Sequence, residues 1–168
     1  MKRLAEIIKP YLRLLRIGNL AFVAILLFVM EKWLATPLLK LSQFSELMPW
    51  WILLLLILSI VFITAGGYVI NDYFDVKIDR INRPDDMVVT RVISREAAMN
   101  WFYVLTAIGI AAGLAVAWWA RSWNLLFIYI VIPGLLWFYS ASYKRMLLVG
   151  NLIVAFISAL VPLLVAII

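Results

Sequence analysis

The sequence predicts an all-α protein: a polytopic bundle of about five membrane-crossing helices, with its N-terminus in the cytoplasm. Three features carry this expectation: the share of apolar residues, the length of the apolar runs, and the side of those runs on which positive charge collects. Hydrophobic residues make up 67% of the chain, against roughly 45–50% in a soluble domain, and the mean hydropathy is +1.05. The 168 residues suit a single membrane domain.

Taken in order, the apolar runs lie near Ile17–Trp33, Trp50–Ile70, Ala98–Ala120, Leu125–Ser140 and Leu147–Ile168. Most are near the ~20 residues a helix needs to cross the hydrocarbon core. With the N-terminus inside, Lys2, Arg3, Lys9, Arg13, Arg16, Lys77, Arg80, Arg83, Arg91, Arg95, Lys144 and Arg145 all face the cytoplasm, and only Lys32, Lys40 and Arg121 lie outside. That asymmetry follows the positive-inside rule. Trp33, Trp50, Trp51, Trp118, Trp119 and Trp123 fall near the outer boundary, with Tyr68, Tyr73, Trp101, Tyr139 and Tyr143 near the inner one. Aromatic belts of this kind mark membrane interfaces.

Residues 1–16 place Leu4, Ile7, Ile8, Tyr11, Leu12 and Leu15 at helical spacing, with Lys9, Arg13 and Arg16 mostly opposite. The pattern predicts an interfacial helix on the cytoplasmic leaflet, weakened at Pro10. A plain basic anchor before the first span fits the charge rule equally well. No cleavable signal is evident. With neither cysteine nor histidine in the chain, thiol nucleophiles, imidazole bases and the usual zinc sites are excluded, so any metal must be held by oxygen. The net charge of +6 does not point to nucleic acid, because the basic residues flank apolar spans instead of forming a soluble patch.

All five aspartates lie within "NDYFDVKIDRINRPDD", residues 71–86, inside the long polar interval 71–97. Pro84 limits a helix running out of the second span, and Ser94, with Glu96 in the next turn, predicts the start of the third. At about 100° per residue, Asn71, Asp75, Asp79 and Asp72 fall at about 0°, 40°, 80° and 100°, on one helical face. The preceding Gly66-Gly67 pair predicts close approach of a neighbouring helix. Like charges so spaced repel, and two kinds of compensation are open. One is pairing with Lys77, Arg80 or Arg83, or plain solvation. The other is a hard divalent cation such as Mg²⁺, which typically joins one or two carboxylates to a substrate phosphate. An EF-hand is excluded, because counting from Asp72 the sixth position is Lys77 and the twelfth Arg83. The spans are nearly free of ionisable groups, which argues against a pump, voltage sensor or channel. Glu31, near the outer end of the first span, is expected to form an interfacial pair with Lys32.

Asn71-Asp72-Tyr73-Phe74-Asp75-Val76-Lys77-Ile78-Asp79, followed by Arg80-Ile81-Asn82-Arg83-Pro84, resembles the first aspartate-rich motif of the UbiA superfamily of intramembrane prenyltransferases, N-D-x-x-D-x-x-x-D. Tyr139-Ser140-Ala141-Ser142-Tyr143-Lys144-Arg145 with Gly150-Asn151 is similar to the superfamily's segment between its fourth and fifth helices. "RLLRIGN", from Arg13, is similar to the start of its first helix. The resemblance implies transfer of an isoprenoid chain from a prenyl diphosphate to a lipophilic acceptor. Asn71, Asp75 and Asp79 would hold Mg²⁺, and Asp72, Asp75 and Asp79 would form the catalytic row. Arg83, Lys144 and Arg145 would take up charge on the leaving diphosphate, and Asn19, Tyr139 and Asn151 would contact substrate. The charge asymmetry and the lack of targeting features predict that the aspartate-rich segment faces the cytoplasm from a bacterial or archaeal inner membrane, among membrane lipids.

Within the superfamily the motif looks closer to enzymes that add a geranylgeranyl group to geranylgeranylglycerol phosphate, and to the related chlorophyll synthases, than to the 4-hydroxybenzoate or haem-farnesylating branches. Asp86-Met87-Val88-Val89-Thr90-Arg91 departs from the common R-P-I-P-x-G stretch, so a 4-hydroxybenzoate- or chlorophyllide-type acceptor stays open. Superfamily members have about nine helices and a second aspartate-rich motif, whereas no aspartate follows Asp86 here. The chain is therefore expected to be the N-terminal portion of a larger bundle, with little turnover alone and packing faces available for self-association. The competing expectation is a non-catalytic membrane subunit or lipid-binding protein; a transporter or channel fragment ranks last.

Overall fold

The computed structural model describes residues 2–42 and 47–168. Among these residues the chain forms helices α1 (Lys2–Leu14), α2 (Ile17–Val29), α3 (Thr36–Leu41), α4 (Trp50–Asn82), α5 (Arg95–Trp119), α6 (Trp123–Ala141) and α7 (Leu147–Ile167). A π-helical stretch, Met30–Ala35, joins α2 and α3 into one rod, so five rods are long and apolar enough to cross a membrane. These are the five spans predicted. Their bounds shift most at the first, which runs on to Leu41, and at the second, which runs on to Asn82.

α4 has 33 residues. At about 1.5 Å per residue it is ~50 Å long, well beyond the ~30 Å hydrocarbon core. Its last turns therefore extend beyond the hydrocarbon core and carry the aspartate row with them. The helix stops at Asn82, just before Pro84, because a proline ring and missing N–H oppose continuation. Ser94 starts α5 as expected, its Oγ accepting from the Ala97 N–H at 3.0 Å. The connection folds back on the bundle, burying Val88, Val89 and Ile93.

The predicted N-terminal helix forms and runs through Pro10; the carbonyl four residues earlier belongs to exposed Glu6, where solvent can satisfy it. One local expectation changes. Glu31 is buried, 1% exposed, and accepts from Thr36 Oγ1 at 2.8 Å instead of pairing with Lys32. The π-helical turn explains the exchange. Its i→i+5 spacing brings Thr36 over Glu31, and the Thr36 N–H also bonds the Glu31 carbonyl.

α4 is the central helix. It packs most extensively on α5, then on α6 and α2. Two apolar clusters lie along it, one built around Leu27, Ile52, Leu56 and Tyr129, the other around Leu20, Val69, Ile70 and Phe102 near the aspartate row. Small residues set the helix separation. A Cβ on Gly66 would lie 2.7 Å from Thr106 Oγ1 and one on Gly67 3.1 Å from Leu136 Cδ1, so the pair serves α5 and α6 respectively. The tightest backbone approach between two spanning helices is at Gly109, whose added Cβ would meet the Ile63 N at 2.9 Å and the Ser59 O at 3.0 Å. Backbone atoms cannot rotate aside as a side chain can.

Gly109→Ala should therefore push α4 and α5 apart and cost about 1–3 kcal/mol, the usual range for overpacking. Gly134→Ala, where nothing lies within 4 Å of the added Cβ, should cost nothing. Unfolding of both variants in mild detergent, monitored by circular dichroism, checks the contrast.

Candidate active site at the polar end of the bundle

The stripe of α4 formed by Ile60, Ile63, Thr64, Gly67, Tyr68 and Asn71 lines a cavity of about 380 Å³, with α6 and α7 as its other walls. Apolar side chains dominate, and polar groups gather where Arg16, Asn71, Tyr139 and Ser140 form its mouth. One turn beyond Asn71 on the same stripe stands Asp75. The short turn Tyr143–Arg145 before α7 brings Lys144 to both. Lys144 Nζ lies 2.6 Å from Asp75 Oδ1 and donates to Asn71 Oδ1 at 3.1 Å. Asn71 Nδ2 donates in turn to Asp75 Oδ2 at 2.9 Å. The ion pair is largely shielded, its side chains 12% and 15% exposed.

Asp72 and Asp79 face a second, polar pocket of about 270 Å³, walled by Arg13, Arg16, Arg83 and the returning segment Asp86–Val89. Arg16 Nη2 donates to Asp72 Oδ1 at 3.2 Å, and Arg83 Nε donates to Asp79 Oδ1 at 3.0 Å. The Asp79 hydrogen bond and charge raise the pKa of the Arg83 guanidinium further, so it stays cationic across the whole working range. Arg13 pairs with Asp86 and Arg91 with Asp85.

The structure thus divides the sequence-predicted residues into groups. Asn71 and Tyr139 line the cavity, with Asp75 and Lys144 bonded to Asn71 beside it; Asp72, Asp79 and Arg83 sit together in the adjoining pocket. Asn19, Arg145 and Asn151 are exposed and line neither. Arg16 was not singled out from the sequence, yet it lines both cavities and stacks over Tyr68, 4.7 Å from the ring centroid. It occupies the α1–α2 corner in a left-handed conformation, φ 50°, which non-glycine residues adopt only where surrounding contacts hold them. Its only sequence signal was its place in "RLLRIGN", where the topological role of basic residues concealed it.

Among the described residues no three acidic side chains converge as a ready-made metal cage. The donor chemistry nevertheless suits a hard cation. Two oxygens, from Asp75 and Asn71, already point at one positive charge, the Lys144 ammonium. A Mg²⁺-type ion needs only one or two carboxylates from the protein when phosphate and water complete its shell.

Residues 33–168 match the UbiA prenyltransferase family. The chain belongs to that family. Among its relatives, the digeranylgeranylglyceryl phosphate synthase of Sulfolobus acidocaldarius is 34% identical over 157 residues, covering 91% of this chain and 50% of the relative. The enzyme of the same name from Thermococcus kodakarensis is 38% identical over 110 residues, covering 65% of this chain and 38% of the relative. A solved structure concerned with digeranylgeranylglyceryl phosphate synthase in membranes superposes with a TM-score of 0.77 at 28% identity, covering 95% of this chain and 52% of that one. The chain spans about half the length of these UbiA relatives. UbiA prenyltransferases are generally metal-dependent, and this member has the multi-pass helical architecture of a membrane protein.

Losing one partner of a shielded ion pair leaves the other charge uncompensated. Lys144→Met should cost about 1–3 kcal/mol on that ground, discounted for residual exposure. Adding Asp75→Asn should return part of the loss. A double-mutant cycle on unfolding in detergent reads the coupling.

Proposed function

We propose that the chain supplies the diphosphate-binding side of a Mg²⁺-dependent prenyltransferase, moving a geranylgeranyl group from its diphosphate to a lipophilic glycerol-phosphate ether acceptor such as geranylgeranylglycerol phosphate. The observation that carries the proposal is the Asn71–Asp75–Lys144 cluster at the mouth of an apolar cavity. That juxtaposition suits a ligand with a charged head and a hydrocarbon tail. The names of the relatives support the choice of acceptor.

In this mechanism Asn71 and Asp75 would hold Mg²⁺, with Asp79 one helical turn further on in the adjoining pocket, and the bound metal would supply charge neutralisation for the leaving diphosphate. Lys144 and Arg83 add fixed positive charge, which strengthens as negative charge grows on the departing oxygens. Asp72 holds Arg16 in place at the junction of the two pockets. The allylic C–O bond breaks with its electron pair passing to diphosphate. Tyr68 and Tyr139 line this cavity, and aromatic rings there can accommodate positive charge on the isoprenoid. The acceptor hydroxyl oxygen bonds to the allylic carbon and releases its proton to water or to diphosphate. The apolar walls keep water from capturing the carbon first.

One observation favours a non-catalytic membrane subunit: Asp72, Asp75 and Asp79 each already have a cationic partner. Binding measurements separate the two. In nanodiscs, the protein expressed from its complete reading frame should bind geranylgeranyl thiodiphosphate in Mg²⁺ and lose at least about tenfold in affinity in Asp75→Asn, in Asp79→Asn and on chelation. Affinity indifferent to all three would leave the aspartates as structural ion pairs.

The distribution of basic residues supports a cell-membrane location with the N-terminus and the aspartate row on the cytoplasmic side. Since the chain has no cysteine, single replacements report topology cleanly. Arg80→Cys in intact cells should resist an impermeant maleimide that labels Trp123→Cys. The reverse pattern would invert the topology.

A further inference from the structure

The cavity beside Asn71 ends on one aromatic ring. Its lining runs along α4 from Asn71 to Ile60 and along α6 from Ser140 to Ile128. At about 1.5 Å per residue that makes it ~16 Å deep. Tyr129 stands at the far end with Ile60 and Leu164, and only 2% of its surface is exposed. Behind the ring is α5 at Gly113. A Cβ there would lie 2.4 Å from Tyr129 Cδ1 and 2.8 Å from Ser59 Oγ. The ring fills the space that any larger residue at 113 would need, so it cannot retreat from the cavity.

Among the described residues, the Tyr129 and Ser59 hydroxyls have no hydrogen-bond partner. Unpaired buried hydroxyls are unfavourable and require an explanation. Packing, with no polar tether, holds this ring, and shape is the property that the position preserves.

We propose that Tyr129, backed by Gly113, is a specificity-determining stop that sets the length of isoprenoid chain the cavity accepts. The proposal rests on the prenyl transfer described above and deepens it by assigning the far end of the same site. One end of the ligand is fixed where the diphosphate meets Asn71 and Asp75; a wall that cannot yield fixes the other. Chains that fall short leave apolar surface uncovered at the floor, and chains that overrun must bend or withdraw their head group. Discrimination therefore falls between lengths differing by one isoprene unit.

The test uses the protein expressed from its complete reading frame, in nanodiscs with Mg²⁺, and measures Kd for geranyl, farnesyl, geranylgeranyl and geranylfarnesyl thiodiphosphates. Tyr129→Leu removes the ring and should shift the preference one unit longer, changing the affinity ratio of adjacent lengths about tenfold. Gly113→Ala drives the ring into the cavity and should shift the preference one unit shorter. Tyr129→Phe, which restores the ring, should restore the ranking seen with tyrosine. Analogues that still bind with the same length ranking in both Tyr129→Leu and Gly113→Ala would overturn the stop and leave the prenyltransferase standing. No Mg²⁺-dependent binding of any analogue to the unaltered protein would overturn both.

Discussion

Inside hydrocarbon an unpaired backbone N–H or carbonyl costs several kcal/mol, so a spanning segment must stay helical until it leaves the membrane. α4 obeys this constraint and then continues without a break to Asn82. The consequence is mechanical. One rigid rod carries both the apolar stripe that lines the cavity and the acid row beyond it. The stripe Ile60, Ile63, Thr64, Gly67 and Asn71 leads by helical spacing straight to Asp75. Apolar cavity and acid row are thus aligned by a single helix, with no loop between them to introduce play.

That rod keeps its place through its neighbours. Gly109 admits the α4 backbone to α5, Gly66 admits Thr106, and Gly67 admits Leu136 of α6. Without a hydrophobic drive between helices in lipid, close packing of this kind is a main source of association. It also determines which way the acid row faces. The row spreads over about 100° of the helix, and the spread has meaning only once the neighbours are placed. Asn71 and Asp75 meet the start of α7 through Lys144; Asp72 and Asp79 meet the α1–α2 corner and the helix end through Arg16 and Arg83.

Each carboxylate thereby has a cation, and the pairs differ in environment. The Lys144–Asp75 pair is the most shielded, while Arg83 is half exposed. Shielded pairs gain Coulomb energy and lose solvation in comparable amounts, so such a network organises a site more than it stabilises a fold. A ligand that brings both a divalent cation and phosphate oxygens can exchange partners with it without creating an isolated buried charge.

The sequence by itself determined the membrane solvent, the five spans and the end of the bundle where the carboxylates collect. Each of these depends on composition or on local periodicity: apolar run length, a proline after Asn82, a serine before α5, aspartates at helical intervals. It also placed Asn71, Asp75 and Lys144 among the candidates. Tertiary structure alone decided that Lys144 closes on Asn71 and Asp75, that Arg16 belongs to both pockets, and that Asn19, Arg145 and Asn151 stay outside them. It decided too that Glu31 turns inward to Thr36. A helical wheel gives angles around one axis, whereas these outcomes depend on distances between side chains 73 or 56 residues apart or on a local change of helix pitch. Pitch and inter-helix contact follow from how the rods pack, which no single segment encodes.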